Sequence, residues 1–405
     1  MVATDTKKIS EILSSRYIER IYPSRERLKQ LLESGKRVSI YIGIDPTGPH
    51  LHLGHSTNLF LLKKFQELGH KVIFLIGDFT AQIGDPTGKL DARKALTRKQ
   101  ILNNCRDYKA QAGKILNFSS RKNRVEVKFN SKWLSKLNLE DIIDLTAKTT
   151  VGQMIKREMF RRRMKEGKEI YLHEFLYPLL QGYDSVAMKV DIEVGGNDQT
   201  FNMMMGRELV KSYFRKEKLV ITTKLLINPK TQKKLMSKSE GVLIALNEKA
   251  NQMHGKIMAL PDEVIGTVFS LCTEISDKQL KGIEGKLSLK KVNPRNIKAD
   301  LAKEIVEIYH NKGSAQKAEQ EFNRVFKEKR PPSKIKEIKV SKKEIDILEL
   351  LIQTELVLSK SEAKRLIEQR AVQIDGIIEQ DWKKVIPIRK GMIIRVGKRR
   401  FVKIG

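Results

Sequence analysis

The segment His52-Leu53-Gly54-His55 places two imidazoles three residues apart around a glycine, just after a turn rich in proline. On a helix, rings at this spacing project from the same turn. Neutral imidazoles donate hydrogen bonds, and a helix N-terminus adds unpaired amide N–H groups that suit phosphate. The glycine leaves room for a flat purine near the backbone. We therefore predict a nucleoside triphosphate site; a metal site that includes His50, or a pair of surface histidines, is the alternative.

A second polar segment, Met236-Ser237-Lys238-Ser239, lies in a loop rich in lysine and serine at 229–241. Two hydroxyls and a flexible ammonium on a loop are suited to closing over a pyrophosphate group. A sequence such as Ser-Lys-Ser occurs by chance in a basic protein. It indicates a nucleotide site only in combination with the histidine segment upstream. The pair of segments, and not the loop alone, indicates a nucleotide site.

One face of a predicted helix carries Tyr177, Gln181 and Asp184, which are four and three residues apart. Side chains at this spacing lie on the same side of a helix. An aromatic ring, an amide and a carboxylate on one face are able to line a pocket. The alternative is an ordinary core helix with a polar edge.

The turn Gly195-Gly196 is followed directly by Asn197, Asp198 and Gln199. Consecutive glycines permit a tight turn and let a ligand approach the backbone. The Asp198 carboxylate is able to accept hydrogen bonds from both hydroxyls of a ribose. A plain strand, turn and helix without a ligand is the alternative.

These residues stand at the ends of short apolar segments. The segments 38–44 and 71–76 are rich in β-branched residues, as is typical of buried parallel strands. A helical pattern that begins near Leu51 and ends at Gly69 separates them. Further strands are predicted near 190–194 and 219–226. Strands that alternate with helices predict an α/β fold with a Rossmann-like, doubly wound parallel sheet.

Sequence pattern also divides the chain into domains. Residues 1–245 are predicted to form the α/β catalytic domain, with a helical insertion around 120–190, and residues 246–330 an α-helical domain. The stretch 327–344 holds eight basic residues, three acidic residues and two prolines, so 331–344 is predicted to be a linker. Residues 345–405 are predicted to form a small α+β domain.

Lysine and arginine number 79 against 48 acidic residues, which gives a net charge of +31. This balance favours a polyanionic partner, either nucleic acid or an anionic membrane surface. A lysine-rich proteome is the alternative. The sequence lacks an apolar run of about 18 residues and a secretory signal, so we expect no membrane span. Two distant cysteines predict a reducing compartment. We therefore expect a soluble, cytoplasmic protein that binds nucleic acid.

The two nucleotide-site segments together resemble the HIGH and KMSKS motifs of class I aminoacyl-tRNA synthetases. The second motif begins here with Leu235, where the family usually has a lysine, and Lys233 and Lys234 stand just before it. Small nucleotidyltransferases share the histidine motif, but they are far shorter and lack the second loop. The departure at Leu235 leaves the class intact and the role of the first lysine open.

Three further blocks resemble tyrosyl-tRNA synthetases, namely 41–47 (YIGIDPT), 84–89 (GDPTGK) and the helix face at 177–184. The resemblance implies that Tyr41 and Asp184 hydrogen-bond the phenol of a tyrosine substrate. The other tyrosine-binding residues that it implies are Gly43, Asp85, Tyr177, Gln181 and Gln199. Of these, the carboxylate at 85, the phenol at 177 and the amide at 181 would hold the ammonium group.

The resemblance also implies residues for ATP and for catalysis. The ATP-binding residues would be Asp45, His52, Gly54, His55, Gly196, Asp198, Met236, Ser237, Lys238 and Ser239. The catalytic residues would be Thr47, His52, His55, Lys89, Arg93 and Lys238. The reaction would join tyrosine to ATP and transfer the tyrosyl group to the 3′ end of tRNA, with Mg²⁺ accompanying ATP. Alignment and stabilisation of the departing pyrophosphate would supply the catalysis without a protein nucleophile.

Two basic regions are predicted to contact RNA. The helix at 151–166 carries Arg161 and Arg162, and in the family this insertion forms a homodimer interface and reaches the acceptor end of tRNA. Its predicted apolar contacts are Met154, Met159, Phe160 and Met164. Residues 345–405 resemble an S4-type RNA-binding domain, whose RNA contacts would be Lys364, Arg365, Lys398 and Arg399. Solvated basic surfaces are the alternative for both regions.

Two other functional interpretations remain open. A tryptophanyl-tRNA synthetase is the nearest sibling, but it normally lacks the C-terminal domain, and the pair Tyr41 and Asp184 suits a phenol. A non-catalytic RNA-binding protein on a synthetase scaffold is the second. The intact His52, Gly54 and His55 speak against such a loss of activity.

Overall fold

The structure is a computed structural model that describes residues 2–87, 95–236, 242–289, 292–328, 330–333, 335–397 and 400–405. The chain forms two compact units, residues 1–315 and residues 316–405. The first unit contains a six-stranded sheet surrounded by helices, and the second contains a five-stranded sheet and a two-stranded sheet. The predicted α/β class with a parallel sheet is confirmed.

The large sheet has the strand order β1-β6-β5-β2-β3-β4. Its strands are β1 (Ile18–Tyr22), β2 (Ser39–Ile44), β3 (Lys71–Ile76), β4 (Glu126–Phe129), β5 (Ile192–Gly196) and β6 (Leu219–Thr223). All neighbours are parallel except β1, which pairs antiparallel with β6. The apolar, β-branched segments of the sequence account for β2, β3 and β6, because both faces of such strands are covered.

The order of the strands reverses between β2 and β5. From β2 the chain adds β3 and β4 on one side, and it then returns to add β5 and β6 on the other side. Ligands of open parallel sheets bind in the crevice outside the carboxyl ends of the strands at such a switch point. The topology therefore places a binding crevice at the carboxyl ends of β2 and β5.

The described part of residues 1–326 contains seventeen α-helices, of which the last, α17, crosses from the first unit into the second. They are α1 (Thr6–Leu13), α2 (Arg25–Glu33), α3 (Leu53–Glu67), α4 (Thr80–Ile83), α5 (Arg98–Cys105), α6 (Tyr108–Ala112), α7 (Ser131–Leu134), α8 (Leu139–Thr146), α9 (Val151–Ile155), α10 (Glu158–Lys165), α11 (Leu172–Met188), α12 (Thr200–Phe214), α13 (Ala250–Met258), α14 (Ile265–Cys272), α15 (Asp277–Ser288), α16 (Pro294–Tyr309) and α17 (Lys312–Phe326). Helix α3 ends at Glu67, and the glycine at which the sequence predicts its end, Gly69, follows two residues later with a φ of +90° that suits a residue without Cβ.

Helices α11 and α12 pack closely at a pair of glycines. A Cβ on Gly182 would lie 3.0 Å from the backbone nitrogen of Gly206 and 2.9 Å from a methyl of Leu209. The absence of side chains at this contact lets the two helix backbones approach. Helix α11 carries the predicted pocket face, and this contact holds α11 against α12.

The N-terminal region and the insertion differ from the sequence-based expectation. Residues 7–35 are predicted to be helical with a break at Pro23, but β1 lies between α1 and α2. Its pairing with β6 outweighs local helix propensity. The basic helix predicted at 151–166 is instead two short helices, α9 and α10. Arg157 is the extended residue that begins α10, with a ψ of 133°.

The predicted apolar interface residues of the insertion lie mostly inside the protein. Met154, Met159 and Phe160 are buried, and only Met164 of that set is exposed, at 55%. The buried ion pair of Arg163 with Glu174 attaches α10 to α11. The expectation that all four apolar residues face a partner is therefore wrong, because α9 and α10 bury the apolar side chains of Met154, Met159 and Phe160 within the chain itself.

The second unit has a core of its own between two helices and a sheet. Its elements are β7 (Lys336–Ile338), β8 (Glu344–Asp346), α18 (Ile347–Gln353), α19 (Lys360–Glu368), β9 (Val372–Ile374), β10 (Ile377–Ile378), β11 (Val385–Pro387), β12 (Ile393–Val396) and β13 (Arg400–Ile404). The five-stranded sheet has the order β10-β9-β12-β13-β7, and β11 pairs with β8. Strand β7 lies within the predicted linker 331–344. An edge strand accommodates its charged residues because its outer side faces solvent.

Candidate functional site

The crevice opens where β2 and β5 separate. The two strands pair at Ile40 with Ile192 and at Tyr41 with Glu193. Strand β2 continues to Ile44 and β5 to Gly196, beyond the last of these pairs. Gly43 is exposed in the middle of the sheet, although its neighbours Ile42 and Ile44 are buried. A side chain on the central strand would occupy this space. Gly43 therefore forms part of the crevice floor, where the sequence predicts it.

The two histidines cap the N-terminus of α3. The Nδ1 atom of His52 accepts a hydrogen bond of 3.1 Å from the amide of Gly54. The Nδ1 atom of His55 accepts one of 3.1 Å from the amide of His52. A backbone amide always donates, so both rings carry their proton on Nε2 when neutral. Each ring therefore keeps one donor for a ligand.

Burial lowers the pKa of both rings. The pKa of His52 falls to about 3, chiefly through burial and secondarily through neighbouring His55. Burial lowers the pKa of His55 to about 4. Near neutral pH the pair is uncharged, and phosphate would meet two neutral donors and the amide groups of a helix N-terminus. A Cβ on Gly54 would lie 2.9 Å from Cε1 of His52, so a side chain at this position would displace the ring that caps α3.

The second motif reaches the first through its described end. The Met236 side chain faces Gly54, with its Cβ 3.8 Å from the position of an added Cβ. After the loop, Leu53 donates a backbone hydrogen bond of 3.1 Å to Ile244. Residues Ser237, Lys238 and Ser239 lie outside the described residues, as do Lys89 and Arg93. The chain on either side of the Ser-Lys-Ser loop is nevertheless adjacent to the histidines.

One end of the crevice contains the predicted phenol contacts. Tyr41 is 1% exposed and Asp184 is 3% exposed. The Asp184 carboxylate accepts hydrogen bonds of 2.8 Å from Trp133 Nε1 and 3.3 Å from Asn130 Nδ2. Burial raises the pKa of Asp184, and the neighbouring carboxylates of Glu193 and Asp45 raise it further. A carboxylate has about four acceptor positions, so these two bonds leave capacity for a ligand.

Behind Tyr41 lies a buried ion pair that sequence reasoning missed. Lys218 and Glu193 are in contact, and both are buried. Burial lowers the pKa of Lys218, while Glu193 opposes that change. Gln181 Nε2 donates a hydrogen bond of 3.2 Å to Glu193 Oε1. The predicted ammonium ligand Gln181 is thus joined to the phenol end of the crevice.

The other end of the crevice is organised around Asp85. Its Oδ2 accepts a hydrogen bond of 2.7 Å from Gln199, and its Oδ1 accepts one of 2.6 Å from the hydroxyl of Thr87. The same hydroxyl accepts a bond of 2.8 Å from the buried guanidinium of Arg157. Asn202 Nδ2 donates to the Gln199 side chain at 3.0 Å. The result is a fixed carboxylate that suits a cationic ligand group.

Between the two ends, Tyr177 donates a hydrogen bond of 2.9 Å to Asp45 Oδ2, and Thr80 donates one of 2.7 Å to Asp45 Oδ1. A Cβ on Gly77 would lie 2.0 Å from Oδ1 of the same carboxylate, so the glycine makes room for it. Thr47 is exposed at the rim just beyond Asp45. Residues from β2, from the chain after β3 and from α11 therefore meet at this point.

The two glycines that the sequence predicts to form a turn are instead the last residues of β5, and a short 3₁₀ helix at Asn197–Gln199 follows them. A Cβ on Gly195 would lie 2.9 Å from the sulfur of Met203, and one on Gly196 would lie 2.6 Å from Asp198 Oδ1. The Asp198 carboxylate forms an ion pair with Lys234. Leu235, the residue that replaces the usual lysine, is 4% exposed and belongs to the hydrophobic core. The positive charge that the family usually has at the first position of this motif is therefore provided here by Lys234, one residue before Leu235.

The predicted RNA-binding residues are partly described. Arg161 and Arg162 are exposed on α10, where Arg162 pairs with Glu166 at 2.8 Å. In the second unit, Lys364 and Arg365 are exposed on α19, and the ammonium of Lys364 lies 4.2 Å from the ring centre of Trp382. Lys398 and Arg399 lie outside the described residues. The described part of the chain contains no helix with the length and apolar character needed to cross a membrane.

The missed residues share a sequence signal. Glu193 interrupts the apolar strand IEVGG, and Lys218 directly precedes the apolar strand LVITT. A charge inside a buried strand requires a buried counter-charge, so each residue indicates the existence of the other. The role of Arg157 has a weaker signal, because six basic residues in 151–166 look alike in sequence.

Comparison with known proteins identifies the family of the chain. Residues 33–327 match the family described as tRNA synthetases class I (W and Y), and residues 327–404 match the Tyrosine--tRNA ligase SYY-like C-terminal domain. The chain is 43% identical to the tyrosine–tRNA ligase of Carboxydothermus hydrogenoformans, covering 100% of this chain and 99% of the relative. It is 40% identical to that of Thermotoga maritima, covering 94% of each chain.

Solved structures agree in fold. A C-terminally truncated mitochondrial tyrosyl-tRNA synthetase from Aspergillus nidulans aligns with a TM-score of 0.66 at 24% identity, over 78% of this chain and 94% of that one. The tyrosyl-tRNA synthetase from Archaeoglobus fulgidus complexed with L-tyrosine aligns with a TM-score of 0.58 at 21% identity, over 78% of this chain and 99% of that one.

Proposed function

The chain belongs to the tyrosine–tRNA ligases, within the class I tRNA synthetases, and on that basis we propose that its crevice activates tyrosine with ATP and transfers it to tRNA(Tyr). The observation that carries this proposal is the two-ended crevice. Tyr41 and Asp184 provide hydroxyl and carboxyl groups at one end, and Asp85 provides a fixed carboxylate at the other. These groups match the phenol and the ammonium of one amino acid.

In the first step the carboxylate of tyrosine attacks the α-phosphate of ATP and releases pyrophosphate. The neutral Nε2–H groups of His52 and His55 donate to phosphate oxygens, which hold the nucleotide without adding charge to the helix terminus. Asp198 accepts the ribose hydroxyls. Lys89, Arg93 and Lys238, with Thr47 at the rim, are the remaining residues proposed to stabilise the departing pyrophosphate.

Magnesium enters this proposal as the companion of ATP. Among the residues that the structure describes, no group of three histidine, cysteine, aspartate or glutamate side chains is arranged to hold a metal ion. Mg²⁺ prefers phosphate oxygens and usually keeps several waters, so we assign it to the phosphates of the nucleotide. The described residues of the crevice bind and orient the substrates around it.

In the second step the 3′-terminal ribose of tRNA attacks the carbonyl of the tyrosyl adenylate. The net charge of +31 supports binding of a polyanion. We propose that Arg161 and Arg162 contact the acceptor end, and that Lys364, Arg365, Lys398 and Arg399 contact the body of the tRNA. We also propose a cytoplasmic location, because the relatives described above are bacterial proteins.

We also propose that the chain acts as a homodimer through its helical insertion. Leu139 is 75% exposed, Ile143 is 59% exposed and Leu172 is 82% exposed. Large apolar side chains gathered on one insertion are typical of a surface that another protein covers. A second copy of this chain is the occupant that we propose, because a two-fold interface needs only one such surface on each copy.

Exchange of labelled pyrophosphate into ATP, with tyrosine, phenylalanine or tryptophan supplied separately, tests the proposed activity. Exchange with tyrosine alone is the expected result. Exchange with tryptophan would overturn the assignment of Tyr41 and Asp184. A folded protein that binds tRNA but exchanges with none of the three would overturn catalysis itself.

A further inference from the structure

A buried arginine of the helical insertion lies behind the Asp85 end of the crevice. Arg157 is the extended residue that precedes α10, and it is 7% exposed. The central carbon of its guanidinium lies 4.6 Å from the ring centre of Phe201 on α12 and 5.6 Å from that of Phe160 on α10. Cations at these distances are attracted to the faces of aromatic rings. The two rings therefore hold the guanidinium in one place.

One hydroxyl connects this guanidinium to Asp85. Nη2 of Arg157 donates a hydrogen bond of 2.8 Å to Oγ1 of Thr87. The hydroxyl of Thr87 donates one of 2.6 Å to Oδ1 of Asp85, and the amide of Thr87 donates one of 2.9 Å to the same oxygen. A guanidinium only donates and an ionised carboxylate only accepts. The Thr87 hydroxyl must therefore accept from Arg157 and give its single proton to Asp85.

These bonds determine which oxygen of Asp85 is left for a ligand. Thr87 gives two short hydrogen bonds to Oδ1, whereas Oδ2 accepts one of 2.7 Å from Gln199. Asn202 adds a longer contact of 3.5 Å to Oδ1. Each oxygen of a carboxylate has two acceptor positions. Among the described residues, the acceptor position that remains is therefore on Oδ2.

Stability alone does not account for the burial of Arg157. A buried cation costs free energy unless its donors are paired. In the part of the chain that the structure describes, Nη1 of Arg157 has no hydrogen-bond partner. Burial lowers the pKa of Arg157 to about 10, and the neighbouring carboxylate of Asp85 opposes that change. The residue is thus a buried cation at neutral pH, and such costly arrangements are expected at functional sites.

We propose that Arg157 is a positioning residue for tyrosine: through Thr87 it holds the carboxylate of Asp85 in the orientation that binds the ammonium group of the substrate. The inference rests on the proposed function and adds a residue of the insertion to the tyrosine site. The link engages Oδ1 and leaves Oδ2 for the ammonium. It has no contact with the phenol end, so its effect is confined to ligands that carry an ammonium group.

Two ligands that differ only in the ammonium group test this link. L-Tyrosinol has the phenol and the ammonium, and its desamino analogue is the same alcohol without the ammonium. Isothermal titration calorimetry gives Kd for each ligand with the full-length protein. We expect Arg157→Met to raise Kd for tyrosinol about tenfold and to leave that for the desamino analogue unchanged, because a misplaced carboxylate loses one charge-assisted hydrogen bond. Arg157→Lys keeps the charge and a donor, and we expect it to recover most of this loss.

Thr87→Val removes the connecting hydroxyl and changes no charge, whereas Thr87→Ser keeps the hydroxyl. We expect the valine variant to weaken tyrosinol about as much as Arg157→Met does, and the serine variant to bind like the wild type. Both Thr87→Val and Arg157→Met break the same link, so the double variant should lose little more than either alone. Thr87 is only half-buried, so these variants test the link even where Arg157→Met does not fold.

Lys156→Met is the matched control. Lys156 is the adjacent basic residue, and its side chain is exposed at the end of α9. The substitution removes the same charge from the same segment without touching Thr87. We expect its Kd values for both ligands to equal those of the wild type. Circular dichroism establishes which variants are folded.

Selective weakening of tyrosinol in Arg157→Met and Thr87→Val supports the inference. Equal weakening of both ligands would show a structural role alone, and unchanged or tighter binding of tyrosinol by Arg157→Met would show that position is not what the arginine supplies. Losses that multiply in the double variant would show that Arg157 acts without Thr87. Each of these three results overturns the inference and leaves the proposed function standing, whereas a wild-type protein without tyrosine-dependent pyrophosphate exchange overturns the proposed function itself.

Discussion

The phenol of Tyr177 donates a hydrogen bond of 2.9 Å to the carboxylate of Asp45 and so connects α11 to the residue that follows β2. The two residues are 132 positions apart in sequence. Thr80 engages the other oxygen of the carboxylate. The Asp45 side chain, which we expect to contact both substrates, therefore connects the proposed tyrosine site to the proposed ATP site.

Removal of that phenol hydroxyl is expected to affect tyrosine binding first. Tyr177→Phe keeps the ring but leaves Asp45 Oδ2 without this donor. A hydrogen bond to a charged group contributes about 1.5–3 kcal/mol, so we expect KM for tyrosine to rise at least about tenfold. Exchange kinetics at saturating ATP measure the effect. Tyr183→Phe on the same helix is the control, and a similar rise there would contradict the role of Tyr177.

His52→Ala should slow activation far more than it weakens tyrosine binding. The ring caps α3 and presents its Nε2–H toward the proposed phosphate site. A lost donor to a developing charge costs on the order of 10²-fold in kcat. Single-turnover formation of the adenylate gives the rate, and equilibrium dialysis gives the affinity for tyrosine. Losses of equal size in both would argue against a role in the transition state.

The half-buried histidines of α3 predict a dependence of stability on pH. In the unfolded chain His55 takes up a proton near pH 6.5, whereas in the folded protein its pKa is about 4. Between these values the unfolded state binds more protons, so this contribution to stability is present above pH 6.5 and is lost as the pH falls toward 4. At pH 5 the loss amounts to about 2 kcal/mol.

His55→Gln removes this titration. The difference in free energy of unfolding between wild type and variant should shrink by about 2 kcal/mol between pH 7 and pH 5, as measured by urea denaturation. His173→Gln, at an exposed position on α11, is the control and should keep the wild-type pH dependence. A constant difference between wild type and His55→Gln would show that the pKa of His55 is the same in the folded and the unfolded protein.

We expect Lys234 to provide the positive charge that the first lysine of the KMSKS motif provides in the family. Leu235 is buried in the core, whereas the ammonium of Lys234 reaches Asp198. When the ribose of ATP forms hydrogen bonds with the Asp198 carboxylate, the ammonium of Lys234 loses its ion-pair partner. It is then able to contact the phosphates of the nucleotide. We expect Lys234→Ala to lower kcat for activation about tenfold, as one lost charge-assisted hydrogen bond would. Lys233→Ala is the control, and equal losses in the two variants would contradict the assignment.

The proposed homodimer depends on the exposed apolar residues of the insertion. Leu172→Glu places a charge where the side chain is 82% exposed, so the isolated chain should fold normally. A charge buried in an interface without a partner is strongly destabilising. We expect sedimentation to give a dimer for the wild type and a monomer for the variant. Leu358→Glu, 95% exposed in the second unit, is the control.

The local parts of this crevice could be predicted from sequence, and the long-range parts could not. The histidine cap and the face of Tyr177, Gln181 and Asp184 depend on helical spacing, which sequence displays directly. The family and the α/β class predicted from these motifs are confirmed. The contact of Arg157 with Thr87 joins residues 70 positions apart, and that of Lys218 with Glu193 joins residues 25 positions apart. These contacts depend on the tertiary fold, so local spacing in the sequence does not predict them.

The reversal of strand order between β2 and β5 has a consequence for how the protein is made. The strand β2 ends at Ile44, and its neighbour β5 begins at Ile192, so a ribosome must synthesise most of the first unit before the two can pair. Until then one edge of β2 has no partner, and an unpaired apolar edge invites association with other chains. Molecular chaperones that shield nascent chains would therefore act most usefully on this protein before its β5 leaves the ribosome.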